Sequence, residues 1–143
     1  MIIKQLSIFL ENKSGRLGEV TVSLAKNNID IRALSIADTS DYGILRLIVD
    51  DPDKAETALK TEGLTVTLTE VIAIAVPHQP GGLSVAVKVL SDADIDIEYM
   101  YAFVNTQGDA AFVIMRVEDN AKAVKVLTEN GVKMMGNQLA VDN

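Results

Sequence analysis

The chain is written twice, and that duplication limits its fold more than any other feature. Leu17, Ile29 and Ile31 recur as Leu83, Ile95 and Ile97, an offset of 66 positions from Leu17 to Leu83. The preceding loop recurs with them: Asn12-Lys13-Ser14-Gly15-Arg16-Leu17 lies over His78-Gln79-Pro80-Gly81-Gly82-Leu83. Farther on, 50-DDPDKAETALKTEG-63 lies over 118-EDNAKAVKVLTENG-131, an offset of 68 from Asp50 to Glu118. The second copy has gained about two residues, most simply in the turn 105-NTQGDA-110. A length of 143 residues allows one sizeable core or two small ones. The repeat favours two units of one design, 1–69 and 70–143.

Each copy reads strand, helix, strand, strand, helix, strand. In the first, Ile2 to Leu10 is strand-like. Ser14 or Gly15 then opens a helix whose Leu17, Val20 and Leu24 fall on one face. Ser14 is a good N-cap residue, and Leu17, like Leu83 in the second copy, is expected in the core. Asn28 suits the left-handed turn that ends the helix. Ile31 to Ala37 and Ile44 to Val49 read as strands around a polar turn. Asp51-Pro52 supplies an N-cap followed by proline at the first helical position, Gly63 stops that helix, and Val66 to Leu68 closes the unit. The second copy runs Val71–Val76, Gly81–Ser91, Ile95–Val104, Ala111–Val117, Asn120–Glu129 and a short strand near Gln138–Val141. Two such βαββαβ units predict an α+β chain of two ferredoxin-like sandwiches, each an antiparallel sheet with helices on one face.

A sheet with one wet face should alternate apolar and polar residues. Ile44-Leu45-Arg46-Leu47-Ile48-Val49 and Val71-Ile72-Ala73-Ile74-Ala75-Val76 are apolar on both parities instead. All four helices are committed to one face, so the other is expected to be covered by a second chain, in a homodimer or higher homo-oligomer packed through sheet faces.

With 13 Lys+Arg against 20 Asp+Glu, the net charge of −7 repels phosphate backbones. Absence of cysteine removes disulfides, thiolate metal sites and thiol nucleophiles. The N-terminus lacks the pattern of a signal peptide, and no apolar run approaches the roughly 20 residues of a membrane span. The expectation is a cytoplasmic protein with neither nucleic acid nor membrane as partner.

The doubled units, each with a glycine-bearing turn and Leu after its first strand and an Ile-x-Ile entering its second (Ile29-Asp30-Ile31, Ile95-Asp96-Ile97), resemble the ACT domain family. Within it, the whole chain is similar to the small stand-alone tandem proteins, in 32-RALSIADTSDYGILRLIVDDP-52 and 97-IEYMYAFV-104 especially. The resemblance implies a regulatory module that binds an amino acid or similar small ligand. It also implies that the repeats pair side by side through their second strands into one eight-stranded sheet. Ligand would then be held by first-loop residues at the seam, with Ile31–Asp38 beside Ile97–Asn105.

A helix N-terminus offers unsatisfied N–H groups and a positive dipole end to a carboxylate, and Gly15 lets ligand approach the backbone. Arg16 can assist the carboxylate or point to solvent. An α-ammonium group needs an acceptor, for which Asn12 or Asp38 would serve. The candidate ligand-binding set is therefore Asn12, Ser14, Gly15, Arg16, Leu17 and Asp38, with Gly81 and Gly82 in the second loop. Tyr99 and Tyr101 line a pocket or fill the core. Taken alone, the first loop reads as an ordinary turn, and only the repeat and the resemblance put ligand contact on an equal footing. The second departs from it, with His78, Pro80 and Gly82 where Asn12, Ser14 and Arg16 stand, so the first is expected to be the ligand cradle. His78, the sole histidine, reads as exposed or hydrogen-bonded rather than catalytic. Asp92, Asp94, Asp96 and Glu98 share one parity but read as a solvated edge, not a cation site.

No catalytic constellation emerges from these residue types, and no cofactor or metal is expected. The expected function is a non-catalytic sensor whose output acts in trans on a metabolic enzyme or through oligomer state. The alternative is an interaction module that no longer binds ligand.

Overall fold

The computed structural model describes residues 2–11, 13–38, 41–104 and 108–136, apart from the side chain of Val104. The elements are β1 (Ile2–Glu11), α1 (Arg16–Lys26), β2 (Ile31–Asp38), β3 (Tyr42–Val49), α2 (Pro52–Thr61), β4 (Thr65–Pro77), α3 (Gly82–Asp92), β5 (Ile97–Val104), β6 (Ala110–Val117), α4 (Asn120–Glu129) and β7 (Lys133–Met135). Contacts divide the chain at Thr69/Glu70, with Ile2 and Ile3 counted with the second unit.

The first unit has the strand order β2-β3-β1-β4, all antiparallel where registers are defined, with Leu6 opposite Leu47 and Leu47 opposite Leu34. In the second unit the order is β5-β6-β4-β7, with Met100 opposite Met115 and Met115 opposite Ile72. These are the same order, as the repeat demands. Two predicted strands, Val66–Leu68 and Val71–Val76, are one continuous strand, because Thr69-Glu70 between them contains no turn-forming residue. The chain consequently has seven strands among the described residues, not eight. The last strand lies at Lys133–Met135, earlier than expected, and positions 138–141 fall outside the described residues.

Each unit has its own core. Leu6, Ile8, Leu45 and Leu47 meet Val20, Leu24, Ala55 and Leu59 of α1 and α2 in the first. Ile72, Ile74, Val113 and Met115 meet Ala86, Leu90, Ala123 and Leu127 of α3 and α4 in the second. Leu83 packs against that second core, but Leu17 is exposed, contrary to expectation. The buried stripe of α1 runs through Val20, Ser23 and Leu24 and leaves the first turn outside.

Strand alternation puts Ala33, Ile48, Val71, Ala73 and Ile114 on the parity facing away from the helices. All five are nonetheless buried within a single chain. Their apolar character therefore does not by itself require a second chain, which corrects the premise of the sheet-face argument. The large apolar residues left exposed on the described parts of β2 and β5 are Leu34, Ile36 and Met100, on the helix-side parity of the strands that end each unit's order.

Candidate functional site

The strand order brings six termini of each unit to one end. In the first they are the end of β1, the start of α1, the end of β2, the start of β3, the end of α2 and the start of β4. The β1–α1 turn is closed by backbone bonds, Lys13 N–H to Glu11 C=O at 2.7 Å and Glu19 N–H to Gly15 C=O at 3.0 Å. Gly15 is the N-cap residue at φ 91°, and no side chain caps the helix, so Ser14 does not take that role. A left-handed φ at this position suits glycine because it carries no Cβ penalty. The amides of Leu17 and Gly18 precede the first helical hydrogen bond, from Glu19 N–H to Gly15 C=O, and so have no intrahelical acceptor. The second loop repeats this backbone, with Gln79 N–H to Pro77 C=O at 2.9 Å and Gly81 at φ 84° capping α3.

A cavity lies at this end of each unit. The first, about 260 Å³, is lined by Phe9, Leu10, Glu11, Arg16, Tyr42, Gly63, Leu64 and Thr65. The second, about 710 Å³, includes Ala75, Val76, Pro77, Gly82, Ala110, Gly131, Val132 and Lys133. These are the same positions, at the offset of 66 through the first loop (Phe9 to Ala75, Arg16 to Gly82) and 68 beyond it (Tyr42 to Ala110, Thr65 to Lys133). The ladders confirm the pairing, since Glu11 stands opposite Tyr42 and Pro77 opposite Ala110.

The two cavities differ in the side chains that line them. In the first, the Phe9 and Tyr42 rings meet edge to face. Lys13 Nζ lies 2.9 Å from Glu11 Oε2, Arg16 Nη2 lies 3.7 Å from the same oxygen, and Arg16 Nη1 lies 3.0 Å from Glu19 Oε2. The Lys13 ammonium, hydrogen-bonded to Glu11, and then the charges of Lys13 and Arg16 hold the Glu11 carboxyl below its ordinary value of 4.5. The counterparts of Glu11, Lys13, Arg16 and Glu19 are Pro77, Gln79, Gly82 and Val85, all uncharged. The first cavity is thus narrowed and tied by its own residues, and the second is wider.

Gly82 has a further reason to be glycine: a Cβ there would collide with the Pro77 carbonyl. The start of α3 sits against the end of β4 only because that atom is missing. At the equivalent position of the first unit stands Arg16, which carries a Cβ.

Of the expected site residues, Arg16 lines the first cavity, and Gly81 and Gly82 line the second. Asn12 lies outside the described residues. Ser14, Gly15 and Leu17 are exposed at the start of α1. Asp38 is exposed at the end of β2, opposite Gly43, and lines neither cavity. Tyr99 and Tyr101 are half-buried on β5, opposite Arg116 and Ile114, away from both. Phe9, Tyr42, Gly63 and the Gly131–Lys133 segment escaped the sequence reading, although the βαββαβ order itself places the α2–β4 turn beside the first loop. His78 is exposed, and its amide donates to the Asp109 carbonyl at 2.7 Å. Asp92 pairs with Lys88 and Glu98 with Arg116. Among the described residues no group of acidic or histidine side chains is placed to hold a metal ion.

The family model for an ACT domain pair matches residues 1–141. The chain belongs to the ACT domain family. A crystal structure of a protein from Bacteroides thetaiotaomicron is 48% identical, with a TM-score of 0.93 over 98% of this chain and 96% of that one. The ACT pair also shares its fold with the regulatory subunit of aspartate kinase from Thermus thermophilus, in a ligand-free form. That match has 14% identity and a TM-score of 0.63 over 92% of this chain and 97% of that one. The corresponding subunit from Thermus flavus gives 12% identity and a TM-score of 0.63, covering 91% and 95%. Among curated proteins, none matches the sequence. No helix among the described residues is long and apolar enough to cross a membrane.

Proposed function

We propose that this ACT domain pair is a non-catalytic regulatory module of the cytoplasm that binds an amino acid or similar small ligand. Its first-loop ends hold the ligand, and its output passes to a partner enzyme or through oligomer state. The observation that carries this reading is the duplicated end: in both units a glycine-capped helix N-terminus, with donors available, stands over a cavity. Similarity in fold to regulatory subunits of aspartate kinase fits such a role.

Ligand regulates only through its different affinity for two arrangements. Strands β2 and β5, whose exposed Leu34, Ile36 and Met100 suit them to edge pairing with another copy, supply an arrangement that ligand can favour. The seam between repeats expected for the family would then form between copies. These same exposed residues favour a second reading, a protein-interaction module without ligand.

A thermal-shift panel of the common amino acids, followed by calorimetry on each hit, separates the two. A saturable rise in Tm supports the sensor. No binding at millimolar ligand, with association intact, leaves the interaction module.

A further inference from the structure

We infer that the cavity of the second unit, not the first loop, is the ligand site, and that it takes a zwitterionic amino acid with an apolar side chain. This rests on the reading that the protein binds an amino acid and names which site and which chemistry.

The duplication provides an internal control. One backbone frame exists twice, and in one copy its cavity is narrowed to about 260 Å³ by the chain's own aromatic rings and ion pairs. In the other, Phe9 and Tyr42 have become Ala75 and Ala110, and the four charged loop residues have become uncharged. Truncating residues around a cavity costs packing, and the opening is about 710 Å³, within the range that holds small molecules. Val85, where the first copy has Glu19, lies on the cavity wall and is 58% exposed. An apolar side chain left in water at the mouth of a cavity gains by being covered.

Two charges line this neutralised cavity, Asp109 and Lys133. Neither makes an ion pair with another described residue. Lys133 stands where the first copy has Thr65, so a cation has been added as the others were removed. One cation and one anion, neither ion-paired among the described residues, in an otherwise uncharged cavity match a zwitterion. Its carboxylate faces Lys133 and the Leu83 amide, since the Gly82 and Ser84 amides already donate to the Gln79 and Gly81 carbonyls; its ammonium faces Asp109, and its side chain lies against Val85, Ala75 and Val132. A charged side chain would lose its hydration without a partner there.

Calorimetry on the full chain with leucine, phenylalanine, aspartate and lysine tests this. Leucine or phenylalanine should bind, and aspartate and lysine should bind about tenfold more weakly or worse. Lys133→Thr, which restores the residue of the first copy at an exposed position, should weaken binding about tenfold. Ala75→Phe should abolish it, and circular dichroism checks that this variant folds. If it does not, Val85→Glu, at an exposed helical position, gives the same test. The inference is overturned if the wild type binds while Lys133→Thr, Val85→Glu and any folded Ala75→Phe leave affinity unchanged, or if aspartate or lysine binds best. Loss on Arg16→Ala in that case would return the site to the first loop and leave the proposed function standing. If none of the four probes binds the wild type, the inference falls, and the wider panel of amino acids decides whether the proposed function falls too.

Discussion

Phe9 and Tyr42 meet edge to face, with ring centroids 6.2 Å apart and planes inclined at 65°, and at the corresponding positions of the second unit stand Ala75 and Ala110. An aromatic pair of this geometry contributes about 0.5–1.5 kcal/mol beyond area burial. Both rings are about half exposed, which keeps the burial component small. Tyr42→Ala is therefore expected to lower stability by about 1 kcal/mol in urea denaturation, while enlarging the first cavity toward the second.

Gly82 and Gly18 should respond in opposite directions to the same substitution. Gly82→Ala drives a Cβ into the Pro77 carbonyl, a backbone atom that cannot turn aside, and should cost about 1–3 kcal/mol by forcing α3 off β4. Gly18 is helical, without positive φ, and a Cβ there meets nothing within 4 Å. Gly18→Ala should stabilise by about 0.5–1 kcal/mol through reduced freedom of the unfolded chain. Equal effects of both in equilibrium denaturation would show that the approach of α3 to β4 is not tight.

Helix capping divides by position within the repeat. The Asp51 carboxylate accepts from Lys54 N–H at 3.2 Å and that of Asp119 from Lys122 N–H at 3.0 Å. Asp51→Ala and Asp119→Ala should each cost about 1 kcal/mol. Ser14→Ala should cost close to nothing, since α1 has no side-chain cap. A large Ser14 effect in thermal melts would contradict this backbone assignment.

Much of this architecture was legible because local chemistry and the repeat agreed. Gly63 and Asn28 announced their left-handed turns, at φ 84° and 55°, and Asp51-Pro52 announced the start of α2. Ser14 misled because a good capping residue stood beside a glycine that needed the αL position more. The candidate site was less legible. Its cavity depends on residues far apart in sequence, such as Phe9, Tyr42 and Gly63, and periodicity reports one element at a time. Fusion of two predicted strands into β4 was readable in hindsight from the missing turn residues, but apolar runs on both parities pointed to a second chain. The burial of Ile48, Ala73 and Ile114 in a single chain could not be read from strand pattern, which tells which residues need cover and not what provides it.

Glu11 gives the first loop a pH dependence that the second lacks, because Pro77 replaces it. The Lys13 hydrogen bond and the Lys13 and Arg16 charges lower its folded pKa below the ordinary 4.5. For a carboxyl with a depressed folded pKa, the stabilisation is present above the unfolded value and is lost as pH falls through the folded one. The groups are solvent-exposed and screened, so the contribution is small and salt-sensitive. Thermal melts of the wild type and Glu11→Gln should differ most above 4.5 and converge as the solution becomes more acid. High salt should narrow the gap. A gap that widens toward low pH would have the wrong sign.

Leu34 and Met100 occupy equivalent positions at the offset of 66, on strands that end the order of their units, and both are exposed, at 54% and 41%. Ile36 beside Leu34 is 49% exposed. A strand at the end of a sheet with apolar side chains is open to pairing unless something blocks it, and burying these side chains in an interface would contribute about 1.5–3 kcal/mol for each Leu or Ile fully covered. Leu34→Lys and Ile36→Lys leave each unit's core untouched, so folding should survive while association weakens. Sedimentation at micromolar concentration should find the wild type as a dimer or larger and the double variant shifted toward monomer. If the wild type is monomeric throughout, ligand output cannot run through self-association and must pass to a different partner. If both sediment as the same oligomer, the interface lies elsewhere than on these strands.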